Sequence, residues 1–222
     1  MTQTEGSEYD RLFYPFLFEG GQSSAEDVLA QVQHSTLEKC REVIALRRET
    51  LARQQDEIVR AGQAMARAFA AGATLFAFGN GGSTTDAQDL VADLMEPPLP
   101  GWRTLPALAL TDDVAIITAV GNDVGFDNVF TRQIIAFGQR GDIAVGISTS
   151  GNSRNVLLAL EQAKKQGLLT VALSGYDGGK MAQTESVDFC ITAPSDHVPR
   201  IQEAQATVYH ALLAVVQVEI GD

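Results

Sequence analysis

Cysteine is nearly absent from this chain of 222 residues: Cys40 and Cys190 are the two present, far apart and without C-x-x-C spacing. This usage excludes a disulfide-rich scaffold and predicts a reducing, cytoplasmic location. Basic residues are also scarce, because 16 Lys and Arg stand against 28 Asp and Glu, for a formal net charge of −12. Nucleic acid backbones are bound by clustered Lys and Arg, so a nucleic acid partner is not expected.

Long hydrophobic runs are missing as well. No stretch approaches the ~18 apolar residues of a membrane span, so no membrane association is expected. The chain is nevertheless 45% hydrophobic, enough to bury one substantial core. Residues 1–35 carry aromatic and apolar residues without a helical period, and we interpret them as an N-terminal arm ahead of one domain over residues 36–222.

Five short apolar runs lie along this domain, at 74–78, 105–110, 142–147, 169–173 and 187–191. They alternate with helical patterns near 84–96, 113–120, 125–138, 153–166 and 178–184. Continuous apolar strands separated by helices are typical of a buried parallel sheet covered on both faces. Longer helical patterns at 35–71 and 199–220 flank them. Their apolar stripes exceed what one sheet face needs, which predicts a helical interface between subunits.

The serine loop, residues 148–153 (Ser-Thr-Ser-Gly-Asn-Ser), follows the third strand and precedes a helix. Hydroxyls and free backbone N–H groups at the positive end of a helix can hold a phosphate. The loop lacks the Lys of a nucleotide-binding P-loop, so we expect a small phosphomonoester and no nucleotide cofactor. A serine-rich helix cap without a ligand is the alternative.

The glycine turn, residues 79–83 (Gly-Asn-Gly-Gly-Ser), has the same position after the first strand. Its glycines allow positive φ and a close approach of backbone to a ligand. A single such turn is equally well explained as structural. Two of them would open at the carboxyl edge of a doubly wound sheet, where ligands bind.

Five motifs resemble, in order and spacing, those of the phosphoheptose isomerases of the sugar-isomerase (SIS) fold: 79–83, 120–123, 147–153, 178–181 and 200–203. The resemblance covers about residues 36–222, which it identifies as a SIS domain. It implies an α/β, flavodoxin-like sheet of five parallel strands with helices on both faces, and a homotetramer with active sites between subunits. The implied reaction is the isomerisation of sedoheptulose 7-phosphate to a heptose 7-phosphate through an enediol.

The resemblance also implies roles for particular residues. In the family a Glu on the helix after the glycine turn and a His on the C-terminal helix are catalytic, and Asp93 and His210 stand at those positions. With Ser83 of the glycine turn, the positions that match substrate-binding residues are Asn80, Gly81, Gly82, Asn122, Asp123, Ser148, Thr149, Ser150, Ser153 and Gln202.

A metal site is the third implication. In the family a His four residues before the catalytic Glu binds zinc with that Glu, a Gln and the distal His, and here Asp89 takes its place. Asp89, Asp93, Gln202 and His210 would form the site for zinc or another divalent metal. Asp89 and Asp93 share one helix face, but so oxygen-rich a set suits zinc less well than the family's ligands. A solvated acidic stripe is the alternative.

The chain departs from the family in two further places. Residues 95–97 (Met-Glu-Pro) replace Thr-Gly-Arg shortly after the catalytic position, which removes a basic side chain, and Pro199 stands where the family often has Asp before Arg-Ile-Gln. Three functions therefore compete. The first is an isomerase of a sugar phosphate, and the second is a phosphosugar-binding protein of this fold without catalysis. The third is a scaffold similar to the replication-initiator-associating protein.

Overall fold

The computed structural model describes residues 25–221, with side chains from residue 27. Its strands are β1 (Leu75–Gly79), β2 (Ala107–Ala109), β3 (Ile143–Ser148), β4 (Leu169–Gly175) and β5 (Phe189–Ala193). Its α-helices are α1 (Ala25–Ala70), α2 (Gly82–Met95), α3 (Val114–Asp123), α4 (Val129–Phe137), α5 (Arg154–Gln166) and α6 (Val198–Gly221). Two 3₁₀ turns lie at Phe126–Asn128 and Gly179–Ala182.

The strands form one parallel sheet in the order β2-β1-β3-β4-β5. This is the flavodoxin-like order, and the chain reverses its winding direction between β1 and β3. One hydrophobic cluster joins one sheet face to α1, α2 and α6. Another joins the opposite face to α4 and α5. The predicted sheet with helices on both faces is confirmed.

Three predicted elements are shorter than expected. The second strand contracts to Ala107–Ala109, because Pro106 has no N–H for the ladder. The helix predicted over 125–138 is a 3₁₀ turn followed by α4. The helical pattern at 178–184 forms only one 3₁₀ turn, since Gly178 and Gly179 both have positive φ.

Helix α1 begins at Ala25, ten residues before the predicted start at Ser35, so residues 25–34 are helical although the sequence shows no helical period there. Residues 1–24 lie outside the described part of the chain. The chain divides into two compact units, residues 1–41 and 42–222. The described part of the first unit is helical and exposes Val28, Leu29, Val32 and Leu37. The domain boundary at residue 36 stays a prediction.

The apolar stripe of α1 has two parts within the second unit. Ile58 and Met65 are buried in the core, whereas Ile44 and Leu51 are about half exposed. The C-terminal part of the stripe therefore packs against the domain, and the preceding turns present apolar side chains to solvent. None of the helices in the described residues is both long and apolar enough to cross a membrane.

Candidate active site

The glycine turn and the serine loop lie at the carboxyl ends of β1 and β3, the two neighbouring strands between which the chain reverses its winding direction. Gly81 and Gly151 have φ values of 57° and 63°, a conformation that favours glycine. A Cβ on Gly79 would lie 2.8 Å from the Ile147 carbonyl oxygen, so the two strand ends approach closely. The structure thus brings both predicted ligand loops to one edge of the sheet.

The hydroxyls of the serine loop face each other at the start of α5. Ser148 Oγ and Ser153 Oγ are hydrogen bonded at 2.9 Å. Ser153 is the N-cap residue of α5, but its side chain makes no capping hydrogen bond. Because a helix N-terminus attracts negative charge, the loop combines hydroxyl donors with the positive end of α5.

The 3₁₀ turn at Gly179–Ala182, which follows β4, packs against the serine loop. A Cβ on Gly151 would lie 2.0 Å from the Gly178 carbonyl oxygen, so only glycine fits there. The Met181 amide donates to the Gly151 carbonyl at 3.0 Å. These contacts explain the motif at residues 178–181 as a support for the loop.

An amide pair that was not predicted from the sequence connects the glycine turn to the first turn of α5. Asn80 and Asn155 exchange hydrogen bonds at 2.8 and 2.9 Å, and Asn155 is buried. Asn155 lies in the first turn of α5, two residues after the serine loop. That position was its only signal in the sequence.

The start of α6 packs against both loops. A Cβ on Gly82 would lie 1.7 Å from Gln202 Nε2, so the Gln202 side chain rests on the glycine turn. A Cβ on Gly175 would lie 2.6 Å from the Thr149 carbonyl oxygen and 2.5 Å from Ile201 Cδ1. Gln202 is therefore placed beside the glycine turn, and its role in substrate binding stays a prediction.

Asp93 and His210 meet across the contact between α2 and α6. Asp93 Oδ2 lies 3.2 Å from His210 Nε2. The Asp93 side chain is 20% exposed and the His210 side chain 52% exposed. The two predicted catalytic groups are thus paired and open to solvent.

One turn away, Asp89 has a partner that the sequence did not reveal. The Tyr209 hydroxyl donates to Asp89 Oδ2 at 2.5 Å, and Tyr209 is only 2% exposed. Burial and, after it, the hydrogen bond to Asp89 raise the pKa of the Tyr209 hydroxyl. Tyr209 therefore stays a protonated donor at neutral pH.

The burial of Asp86 is a third feature that the sequence did not reveal. Its Oδ2 atom is buried and has no hydrogen-bond partner in the described part of the protein. Burial and, to a smaller extent, the negative charge of Asp89 raise its pKa to about 6. The carboxyl is therefore partly protonated in mildly acidic solution.

Asn122 and Asp123 lie at the end of α3, where both are exposed. The Asn122 amide donates to the Asp123 carboxylate at 2.7 Å. Their predicted role in substrate binding stays a prediction.

The predicted metal ligands are not arranged around a common point. Among the described residues, no group of three or more His, Cys, Asp or Glu is placed to hold a metal ion. Asp89 is bonded to Tyr209 and Asp93 to His210. The residues present do not fit a preformed zinc site.

Comparison with known proteins agrees with this architecture. The family model of the SIS domain matches residues 40–175. The phosphoheptose isomerase of Sulfurimonas denitrificans is 49% identical over 145 residues, which cover 65% of this chain and 73% of that protein. The chain belongs to the phosphoheptose isomerase family. The relative from Aneurinibacillus thermoaerophilus, also a phosphoheptose isomerase, is 46% identical over 139 residues, 63% of this chain and 69% of that protein.

Solved structures of phosphoheptose isomerases have the same fold. The structure from Neisseria gonorrhoeae matches with a TM-score of 0.78 at 35% identity, over 84% of this chain and 99% of that chain. The structure from Francisella tularensis matches with a TM-score of 0.76 at 32% identity, over 88% and 100%.

Proposed function

We propose that this member of the phosphoheptose isomerase family isomerises sedoheptulose 7-phosphate to a heptose 7-phosphate. The observation that carries the proposal is the Asp93–His210 pair on α2 and α6, the two helices that also bring the Gln202 side chain against Gly82 of the glycine turn. An aldose–ketose isomerase needs one group to remove a proton beside the carbonyl and another to protonate the oxygen. A carboxylate and an imidazole at 3.2 Å can supply both.

The spacing of Gln202 and His210 along α6 matches the length of a seven-carbon sugar phosphate. Gln202 and His210 lie eight residues apart, which corresponds to a rise of about 12 Å along the helix. Seven carbons joined by bonds of about 1.5 Å, with a terminal phosphate, extend over roughly 10 Å. A phosphate at the serine loop would therefore leave the other end of the sugar near Asp93 and His210.

In the proposed mechanism, the serine loop and the start of α5 hold the phosphate. Asp93 removes a proton from C1 of the ketose while His210 donates a proton to the C2 carbonyl oxygen, which yields the enediol. Asp93 then returns its proton to C2 as the C1 hydroxyl proton passes back to His210, and the aldose is released. Each step conserves charge within the Asp93–His210 pair, and no other acid or base is required.

Turnover of sedoheptulose 7-phosphate by the purified protein tests the proposal, with fructose 6-phosphate as a shorter control ketose. We expect conversion of the seven-carbon substrate in preference to the six-carbon one. The second candidate is a phosphosugar-binding protein without catalysis, favoured by the shorter side chain of Asp93. Calorimetric binding of sedoheptulose 7-phosphate without turnover would establish that second function.

We further propose that the protein is a homotetramer. Ile44 and Leu51 expose apolar side chains next to an apolar groove of about 240 Å³ between α1 and α6, which Ala204, Val208 and Ala211 also line. His210, on the same helix as these three groove residues, is also half exposed in the single chain. A cytoplasmic location remains part of this proposal, on the cysteine usage alone.

A further inference from the structure

The carboxylates of Asp89 and Asp93 on α2 each contact one of two consecutive residues of α6. Tyr209 donates to Asp89, and His210 contacts Asp93. The rings of Tyr209 and His210 pack edge to face, with centroids 4.6 Å apart. Each carboxylate thus has its own partner, and the partners are fixed against each other.

The Tyr209 hydroxyl depends on Asp89. Tyr209 is among the most deeply buried large side chains of the chain, and a buried hydroxyl requires a hydrogen-bond acceptor. The hydrogen bond holds the Asp89 carboxylate toward Tyr209 through Oδ2. If the carboxylate turned away from Tyr209 to reach a metal ion, this hydroxyl would lose its acceptor and the free energy of the folded state would rise. The position that carries a zinc-binding histidine in the resembling family is therefore engaged within the protein itself.

The remaining donors do not compensate for Asp89. Asp93 and His210 supply one oxygen and one nitrogen, and the Gln202 side chain rests on Gly82. A closed tetrahedral site needs four ligands, and even a catalytic zinc keeps three from the protein. An amide oxygen is also a poor zinc ligand compared with imidazole or thiolate.

We propose that this protein holds no zinc ion at its active site, because the Tyr209 hydroxyl takes the Asp89 carboxylate and replaces the metal as the group that orders this end of the site. Asp93 and His210 then work as an acid–base pair without a metal. The roles of these two residues rest on the proposed isomerase function, whereas the metal content can be measured whether or not the protein turns over a substrate.

The test uses the full chain without a tag, purified from zinc-supplemented cultures. We expect elemental analysis to find only a small fraction of one zinc ion per chain and calorimetry to detect no saturable Zn²⁺ binding. Zn²⁺ and EDTA should also leave the unfolding temperature unchanged, since a ligand that binds only the folded state would raise it. One zinc ion per chain that is lost in His210→Gln would overturn the proposal, whereas zinc that remains in His210→Gln lies elsewhere and supports it.

A matched variant tests the cause. Asp89→His combined with Tyr209→Phe restores the family's ligand types and removes the competing hydroxyl, and circular dichroism checks that it is folded. We expect this double variant to bind one zinc ion per chain. If the folded double variant binds none, the Tyr209–Asp89 pair is not what excludes the metal and the proposal fails. Absence of turnover in the wild type would count against the proposed isomerase function and would leave the zinc result unaffected.

Discussion

Single side chains decide the chemistry of this site, and Asp93 is the one most open to a kinetic test. It stands where the phosphoheptose isomerase family has Glu, so its side chain is one methylene shorter and its carboxylate lies about 1.5 Å farther from the substrate. A displacement of about 1 Å can lower the rate a hundredfold. We therefore expect slow turnover in the wild type.

Substitution of Asp93 separates its chemistry from its size. Asp93→Asn keeps the shape but removes the base, so turnover should fall below detection, while Asp93→Glu should raise turnover or leave it similar. Steady-state kinetics with sedoheptulose 7-phosphate measure both variants. Full activity in Asp93→Asn would contradict the assignment of Asp93 as the base.

Asp86 predicts a pH dependence of stability. Its folded pKa of about 6 lies above the ordinary value of 3.8, so the folded state binds the proton more tightly than the unfolded state. The resulting stabilisation is complete below pH 4 and is lost as the pH rises through 6. Asp86→Asn should flatten the change in unfolding free energy between pH 4 and 6.

At pH 7 the same variant should be more stable, by about 1 kcal/mol once solvent screening of the partly exposed carboxyl is allowed for. Urea unfolding across this pH range measures the effect, and Asp56→Asn on the exposed face of α1 is the control. A slope in Asp86→Asn equal to that of the wild type would show that Asp86 does not carry the proton.

Loops and helices form the next scale, where the serine loop is the element to test. Ser150→Ala with Ser153→Ala removes two hydroxyl donors, including the Ser153 hydroxyl that is bonded to Ser148. Because hydrogen bonds to a charged phosphate are each worth about 1.5–3 kcal/mol, affinity for sedoheptulose 7-phosphate should fall at least tenfold. Calorimetry measures the affinity, and unchanged thermal unfolding would show that the fold is intact.

Ser186→Ala, in the segment before β5, is a matched control for this variant. It removes a hydroxyl outside the serine loop and should bind the sugar phosphate as the wild type does. Equal affinity of all three proteins would exclude the serine loop as the phosphate site.

The positions of the strands could be predicted at this scale, but several boundaries could not. β1, β3 and β4 read as continuous apolar runs because both faces of the sheet are covered. The start of α1 at Ala25 was missed because aromatic residues without a helical period precede it. The helix predicted over 178–184 is longer than the observed 3₁₀ turn at Gly179–Ala182, because a helical pattern in the sequence does not show which glycines have positive φ.

At the scale of the whole molecule, the last prediction concerns the oligomeric state. If Ile44 and Leu51 are covered by other copies of the chain, Leu51→Glu should place a charge in an apolar interface and disrupt it. Multi-angle light scattering should report a tetramer for the wild type and a smaller species for the variant. Val114→Glu, on an exposed position of α3, should remain tetrameric. A stable wild-type monomer at micromolar concentration would contradict the proposal.

The sequence by itself determined the parallel α/β sheet, the two ligand loops at its carboxyl edge and the helices that carry Asp93 and His210. These follow from periodicity, glycine positions and motif spacing, which are local properties of the chain. Only the tertiary structure decided the partners of the polar groups: Asn155 for Asn80, Tyr209 for Asp89, and, within residues 25–221, no partner for the buried oxygen of Asp86. Tyr209 and Asp89 are 120 residues apart, and such contacts depend on how α2 and α6 pack, which no local pattern encodes.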